Sequence, residues 1–453
     1  MSLKRAWPTT VCLLGVLSGW GCGSGVPSSP VSSPLQPSAP RTVAASNPDG
    51  GPSPAPVATP SATDAGPTSS VPDAGVGGPV SRTEDWTRVG ASFGAANQGL
   101  EEIAFTRAGL PVVASLDYDG VTPSSRVYVR AWDGSAWNLL GGPLQANTDF
   151  PYAHAVWVAL AVDARDRPIV AFDEGDANSG LAFHLHVFRW ESGVWSPLGG
   201  PLSQTTGLTF PGGVQLAMGQ DGNPFVAWSE GTDNSGMMIA VQHWSGSSWV
   251  EAAPSLGGVA RGGDAVSPSL RVDTSGNLVL AYQQRGGISV ARASGSGWTP
   301  LGAPLIQSAG DFTYSPALAL DSAGNIFVAF SEFDAPFGSR SPHTRGVLMF
   351  RWSGQSWAQL GDARRGTVDS RDAVKLVVDS HQHPALLWTE SLASPYTVHV
   401  SRWDGSEFSE LGAGLEGLSG GALAADASGS LYLAAELGSD SSARPVSVQR
   451  MSL

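Results

Sequence analysis

Cysteine is nearly absent from this chain. Of its 453 residues only Cys12 and Cys22 are cysteines, and both lie at the N-terminus. The body of the protein therefore has no disulfide bond and no thiolate metal site. Its stability has to come from packing.

Charge is also scarce. Charged residues make up 14% of the chain, and the formal net charge is −14. Because binding to nucleic-acid phosphates requires Lys and Arg in excess, this composition argues against a nucleic-acid partner. It identifies no other partner.

Turn-forming and aromatic residues are abundant. The chain has 57 glycines, 33 prolines and 16 tryptophans, against 15 phenylalanines. Many turns combined with many aromatic side chains favour an all-β protein over a helical one.

The first residues have the layout of a signal peptide. Lys4 and Arg5 precede an apolar stretch at residues 11–17, which is too short to span a bilayer, and small residues follow. The sequence Gly-Trp-Gly-Cys ending at Cys22 resembles the lipobox of bacterial lipoproteins, although Leu17 lies two residues further from the cysteine than in that pattern.

This resemblance implies that residues 1–21 are removed and that Cys22 is lipidated and anchors the protein to a membrane. Since no Asp follows Cys22, we expect an outer-membrane or cell-surface location. The alternative is an ordinary cleaved signal peptide and a secreted protein. Residues 22–84 are rich in Pro, Ser and Gly, and we predict a disordered linker that either holds a domain away from a surface or has no role.

One pattern returns seven times from about residue 99 onward. Each repeat has an alternating apolar strand, an Asp-x-x-Gly-Asn-like turn, a second strand, a variable loop, a third strand ending near Trp and a fourth strand beginning with an aromatic residue. The second strands end at positions 46 to 58 residues apart, namely Asp117, Glu174, Glu230, Gln284, Glu332, Glu390 and Glu436. This spacing suits one four-stranded sheet per repeat, and a ring of such sheets fits best.

The seventh repeat stops two residues after Met451, before any fourth strand. The segment Asp-Trp-Thr-Arg-Val-Gly around Trp86 matches a fourth strand but has only linker before it. We therefore predict that residues 85–453 form a seven-bladed β-propeller whose last blade is closed by the N-terminal strand.

The repeats resemble bacterial secreted and lipoprotein β-propellers with Trp-rich blades. The turns in "WDGSAW" and "WSGQSW" are also similar to the Asp-box of sialidase-type propellers, but they lack its Ser-x-Asp-x-Gly-x-x-Trp order. Sialidase chemistry is therefore not expected.

A four-stranded blade places its loops on two faces. The first-to-second and third-to-fourth turns share one face, here called the turn face. The second-to-third loops and the links between blades share the other, the variable face, and these vary most in length and composition. We expect function on the variable face.

Three sets of residues there are candidates for ligand binding. A ring of acids could hold cations or sugar hydroxyls, although we favour a structural role in maintaining each blade: Asp117, Glu174, Glu230, Glu332, Glu390 and Glu436. Aromatic residues in the links could stack on a ligand or wedge the blades: Phe150, Tyr152, Phe312 and Tyr314. The long loop of repeat five mixes apolar and cationic side chains: Phe333, Phe337, Arg340, His343 and Arg345.

Catalytic patterns are missing. The chain contains no HExxH motif and no phosphate-binding glycine loop, and we assign no catalytic residue, no metal site and no cofactor, with nothing in support of calcium. His184 and His186 alternate on one strand and are interpreted as a surface pair. The sequence favours a monomeric, surface-tethered, non-catalytic propeller that binds a glycan or a protein. The alternative is a glycoside hydrolase or lyase that uses carboxylates of the variable face.

Overall fold

The structure is a computed structural model, and it describes most of the chain from Trp86 onward. The described residues are 86–94, 97–118, 125–146, 153–176, 181–202, 212–232, 236–257, 264–284, 287–294, 297–306, 312–333, 344–361, 374–390, 395–438 and 444–453. The predicted leader, the lipidation site and the linker lie outside these ranges. No helix among these residues has the length and apolarity needed to cross a membrane.

All regular structure is β, arranged as seven antiparallel sheets in sequence order. Blade 1 contains β2 (Asn97–Phe105), β3 (Pro111–Tyr118), β4 (Ser125–Trp132) and β5 (Trp137–Leu139). Blade 2 contains β6 (Ala153–Val162), β7 (Pro168–Asp176), β8 (Leu181–Glu191) and β9 (Val194–Pro197). Blade 3 contains β10 (Gly212–Met218), β11 (Pro224–Thr232), β12 (Gly236–Trp244) and β13 (Trp249–Gly257). Blade 4 contains β14 (Ala265–Val272), β15 (Leu278–Gln284), β16 (Gly287–Ser294) and β17 (Gly297–Pro300).

The remaining blades follow the same order. Blade 5 contains β18 (Phe312–Leu320), β19 (Ile326–Phe333), β20 (Thr344–Trp352) and β21 (Trp357–Gln359). Blade 6 contains β22 (Lys375–Val378), β23 (Pro384–Glu390), β24 (Thr397–Trp403), β25 (Phe408–Glu410) and the short β26 (Leu415–Glu416), which also pairs with β24. Blade 7 contains β27 (Leu418–Ala425), β28 (Leu431–Leu437), β29 (Val446–Met451) and β1 (Thr87–Arg88).

The innermost strands form a closed circle. Contacts run from β2 to β6, β10, β14, β18, β22 and β27, and from β27 back to β2. The second strands are the most deeply buried, and all eight residues of β19 are buried. Each sheet thus buries both faces against its neighbours, and the protein is a seven-bladed β-propeller.

The N-terminal strand closes the ring, which confirms the sequence prediction. Thr87 and Arg88 pair with Arg450 and Gln449, and the Val89 amide donates to the Val448 carbonyl at 2.8 Å. Blade 7 therefore has four strands, and β29 is covered by a partner strand rather than left as a free edge.

The fourth-strand tryptophans latch neighbouring blades together. Each indole N–H donates to a backbone carbonyl of the preceding blade, in the pairs Trp86–Leu411, Trp137–Val89, Trp195–Leu140, Trp249–Leu198, Trp298–Pro254 and Trp357–Leu301. Phe408 lacks an N–H and occupies the junction between blades 5 and 6. The glycine after the strand lets the chain pass close to these rings: Gly302 has a φ of 79°, and a Cβ there would lie 3.1 Å from Trp357.

Candidate functional site

The carboxylates of the predicted acidic ring are largely buried and have different partners. Glu390 is half-buried, and the other five acids are buried. The contacts are Asp117 with Arg130 (3.7 Å), Glu174 with the Ala146 amide (3.0 Å), Glu230 with the Trp228 indole N–H (3.0 Å), Glu390 with His399 (3.3 Å) and Glu436 with Arg444 (3.4 Å). These acids are therefore not a ring of equivalent groups.

The pairing register of the strands shows that one of these acids, Glu436, lies at a different level from the others. Glu436 lies opposite Ser419, the level at which Asp173 and Ser331 lie in blades 2 and 5. Leu437 occupies the level of Glu174 and Glu332. The turns before β28 and β19 have the same length, but Glu436 follows the start of its strand by one residue fewer than Glu332 does, so aligning the two glutamates places Glu436 one position too late.

The candidate aromatic and basic residues are only partly described. Phe150, Tyr152, Phe337, Arg340 and His343 lie outside the described residues, and for Phe312 and Arg345 the structure describes the backbone alone, in β18 and β20. The Phe333 ring is buried and packs edge to face against Tyr314, with ring centroids 5.4 Å apart. These two rings are thus occupied by packing within blade 5.

The innermost strands carry a repeated β-bulge near the variable face. Register shifts at this level occur in blades 1, 2, 3, 4, 5 and 7, and the corresponding residues of blade 6 lie outside the described ranges. Four bulges place a small residue at the same level with a positive φ: Gly213 (58°), Ser267 (53°), Ser315 (49°) and Gly420 (61°). Since the left-handed region disfavours large side chains, these blades present little more than backbone to the channel mouth.

Blade 2 differs from this pattern. At the equivalent level it has Trp157, which does not have a positive φ and exposes 38% of its surface. Trp157 is the only exposed aromatic residue among those that the structure describes. A large ring thus lies at a level where blades 3, 4, 5 and 7 carry Gly or Ser.

A buried carboxylate holds the backbone of this bulge. Asp173 accepts the Val156 amide at 3.1 Å and the Trp157 amide at 2.6 Å, both on the same oxygen. In blade 4 the corresponding amide, that of Ser267, donates instead to the Ser229 hydroxyl of blade 3. Asp173 therefore replaces a neutral contact between blades with a charge-assisted one within blade 2.

The electrostatics of this cluster are unusual for surface loops. Burial raises the pKa of Asp173 to about 7, against the lowering effect of the two amide donors, and the nearby Glu174 raises it further. On the adjacent strand burial lowers the pKa of His186 to about 4, and His184 adds to the effect. Glu174 lies directly opposite His184 in the sheet. Asp173 lies on the opposite face of the sheet from Glu174 and His184, since it pairs with Leu185. For brevity we call these residues near one end of blade 2 the blade 2 cluster: Trp157, Asp173, Glu174, His184 and His186.

The cluster was only partly predictable from sequence. Glu174, His184 and His186 were singled out, but Trp157 and Asp173 were missed. The signal was present in the aligned inner strands, where "VWVALAV" has Trp157 at the position that Ser occupies in "SPSLRV" and "SPALAL". Among the described residues no group of three or more His, Cys, Asp or Glu is arranged to hold a metal ion. A shallow depression of about 430 Å³ lies elsewhere, on the outer rim near Gly199 and Trp249.

No protein-family model matches the chain, and no curated protein matches it. Several solved structures are similar to it. A fungal alcohol oxidase of the AA5 family in complex with copper is 14% identical and has a TM-score of 0.53, with 82% of this chain and 76% of that chain covered. The α-L-arabinanase of Penicillium chrysogenum complexed with arabinobiose is 14% identical and has a TM-score of 0.45, with 66% of this chain and 93% of that chain covered.

The Aleuria aurantia lectin in complex with Fucα1-6GlcNAc is 16% identical with a TM-score of 0.41, covering 71% of this chain and 97% of that chain. At these identities the likeness concerns the fold alone. The chain is a seven-bladed β-propeller.

Proposed function

We propose that this protein is a surface-tethered, non-catalytic glycan-binding propeller whose ligand contacts the channel mouth on the variable face, around Trp157. The observation that carries the proposal is the exposure of this one indole at a level where four other blades have Gly or Ser. An apolar ring of this size is unfavourable in water, and a ligand that covers it recovers that free energy.

The chemistry of the position suits a sugar. Sugar rings present patches of C–H groups that pack on an aromatic face, while their hydroxyl groups need hydrogen-bond partners. His184 is half-buried on the third strand of the same blade, opposite Glu174, and its ring nitrogens can take part in hydrogen bonds. The clamp from Asp173 to the Trp157 amide keeps the backbone beneath the ring in place, which lowers the entropy lost on binding.

The carboxylates of the cluster favour binding over catalysis. Asp173 is buried and accepts two backbone amides, and Glu174 is buried and accepts the Ala146 amide. Carboxyl groups used in this way hold loops and bulges. The second candidate function, glycoside hydrolysis, is favoured by one observation: a pKa of about 7 would let Asp173 carry a proton at neutral pH.

Binding of the purified protein to an array of glycans tests the proposal. Some glycans of the array should bind the parent protein. We expect Trp157→Ala to bind these glycans about tenfold more weakly, because the stacking surface is lost. Trp157→Phe, which keeps an aromatic face, should retain most of the binding. Leu139→Ala removes an apolar side chain that is 44% exposed on the outer strand β5 and should leave binding unchanged.

Equal binding by the parent protein and Trp157→Ala would reject the mouth as the glycan site. If the propeller binds no glycan of the array but does bind a protein partner, the protein-ligand alternative is favoured. Release of shorter sugars from a bound glycan, lost in Asp173→Asn, would establish the hydrolase alternative instead.

A further inference from the structure

The depression on the outer rim lies at the junction of blades 2 and 3, away from the mouth. Its volume of about 430 Å³ is within the range of roughly 300–1,000 Å³ that small-molecule sites occupy. Blade 2 contributes the segment after β9, and blade 3 contributes β12 and the turn that joins it to β13. We call this depression the rim site, and the residues that line it include Pro201, Leu202, Gln242, Ser247, Ser248 and Trp249.

One wall of the rim site is a tryptophan that the two blades hold in place. The Trp249 indole N–H donates to the Leu198 carbonyl of blade 2 at 2.5 Å, and its ring packs against Trp244 with the centroids 5.4 Å apart. Gly199 has a φ of 78°, and a Cβ there would lie 3.1 Å from the Trp249 ring. Trp249 is half-buried, so part of its surface remains open to a ligand. An aromatic ring that is already fixed loses little entropy when a ligand covers it.

The polar wall of the rim site comes from one change in the repeat. Gln242 lies two residues before the end of β12, opposite Val226. Blades 2 and 5 have Phe188 and Phe350 in the corresponding places, each also opposite a valine. These two rings stack on a second phenylalanine of their own blade, with the centroids 5.7 Å apart in both cases. Blade 3 therefore has an amide where two other blades fill the space with an aromatic ring.

This amide is available to a ligand. The Gln242 side chain is half-buried and makes no hydrogen bond to the described part of the chain. A glutamine amide has two N–H donors and one carbonyl acceptor, so it can pair with two adjacent hydroxyl groups at once. The hydroxyl groups of Ser247 and Ser248 lie in the exposed turn that borders the same depression.

The rim site is polar but uncharged. None of the described residues that line it carries a charge, in a protein whose net charge is −14. Glu251 is exposed on β13 opposite Gln242, and its carboxylate disfavours an anion nearby. The ligand that suits these surroundings is neutral, with an apolar face for the indole and hydroxyl groups around its edge.

We propose that the rim site binds the ring of a neutral sugar, which stacks on Trp249 and exchanges hydrogen bonds with the Gln242 amide. The C–H groups on one face of a sugar ring pack on an aromatic face. The site goes beyond the one proposed around Trp157 and does not depend on it. A protein with both sites contacts a glycan-coated surface at two places, and the second contact adds to the first by raising the local concentration.

Saturation-transfer NMR of the full chain tests the proposal, with D-glucose, D-galactose and D-mannose as neutral probes and D-glucuronate as the charged counterpart. We expect at least one neutral hexose to bind the parent protein, and D-glucuronate to bind more weakly. Gln242→Phe introduces the residue that blades 2 and 5 already contain, and by filling the depression it should weaken hexose binding by about tenfold or more. Gln242→Ala keeps the space open and removes the amide, which should weaken binding about fivefold.

Gln355→Ala is the matched control, since Gln355 is an exposed glutamine in the corresponding turn of blade 5, and hexose binding should not change. Circular dichroism checks that Gln242→Phe folds, and Gln242→Ala decides the question if it does not. Trp157→Ala separates the two sites: hexose binding that survives in Trp157→Ala and is lost in Gln242→Phe belongs to the rim site, whatever the mouth binds. Hexose binding that is lost in Trp157→Ala and retained in both Gln242 variants would overturn the rim site and support the mouth. Failure of all three hexoses to bind the parent protein would also overturn it.

Discussion

Two aspartates of blade 2 show how the surroundings of a residue determine its chemistry. Burial raises the pKa of Asp163, but hydrogen bonds from the Arg167 side chain and backbone outweigh it, and the net shift is downward. Asp173 is also buried and accepts backbone amides, yet no cation from the described part of the chain faces it, and its pKa rises to about 7. Since the two residues lie ten positions apart in one hairpin, a cationic partner, rather than burial alone, separates their behaviour.

This difference predicts a pH dependence of stability. The folded-state pKa of Asp173 lies above its ordinary value of 3.8, so between about pH 4 and pH 7 the folded protein holds this proton more tightly than the unfolded chain. The contribution of Asp173 to stability is present below that window and is lost as the pH rises to about 7. Asp173→Asn removes the titration, so its stability relative to the parent protein should improve by roughly 2–3 kcal/mol between about pH 5 and pH 7.5.

Urea unfolding of both proteins at the two pH values measures this effect. His186 titrates in the opposite sense, because its pKa is lowered to about 4 and its protonation in the unfolded state destabilises the fold at acid pH. The comparison removes that contribution, since His186 is present in both proteins. A parallel pH dependence of the two proteins would contradict the assignment of a raised pKa to Asp173.

At the scale of the element, the closing strand β1 links the N-terminal residues of the propeller to its last blade with only two residues of regular structure. β1 has only Thr87 and Arg88, but the flanking Trp86 packs in the core between blades 6 and 7 and donates to the Leu411 carbonyl at 3.0 Å. The Thr87 hydroxyl donates to the Arg450 carbonyl across a separation of 363 residues. The strand therefore adds few hydrogen bonds and one large anchoring side chain.

We expect Trp86→Ala to lower the free energy of unfolding by about 2–4 kcal/mol, because it removes a large packed side chain and the latch between blades 6 and 7. Trp86→Phe keeps most of the packing and should cost about 1 kcal/mol, the value of the lost hydrogen bond. Val194→Ala, at a position 58% exposed on the outer strand β9, serves as the control and should change stability by less than about 0.5 kcal/mol. Urea unfolding checks all three, and an unchanged midpoint in Trp86→Ala would show that the ring does not depend on this anchor.

At the scale of the whole molecule, the propeller has a mouth and an outer rim with different chemistry, and the proposed tether adds a third feature. The leader and Cys22 are expected to fix the protein to a membrane through a lipid, with the linker between the anchor and the first blade. Expressed in a bacterial host, the parent protein should fractionate with membranes and Cys22→Ser should appear in the soluble fraction.

Cys12→Ser changes the only other cysteine and should behave like the parent protein. Intact mass measurement of the membrane fraction then shows whether a diacylglycerol group is attached. Identical fractionation of Cys22→Ser and the parent protein would favour the secreted alternative.

The sequence by itself determined the all-β class, the number of blades and the closure of the ring. These follow from local patterns, because a tryptophan, a glycine turn and a short second strand recur in each repeat, and the orphan strand at Trp86 matches the one that blade 7 lacks. What faces the axis was decided only by the tertiary structure. Glu102 and Lys375 are 273 residues apart and meet because the curvature of seven packed sheets brings the inner strands together. Trp157 becomes exposed for a related reason: a bulge, whose register depends on the neighbouring strand, turns it toward the mouth instead of into the core.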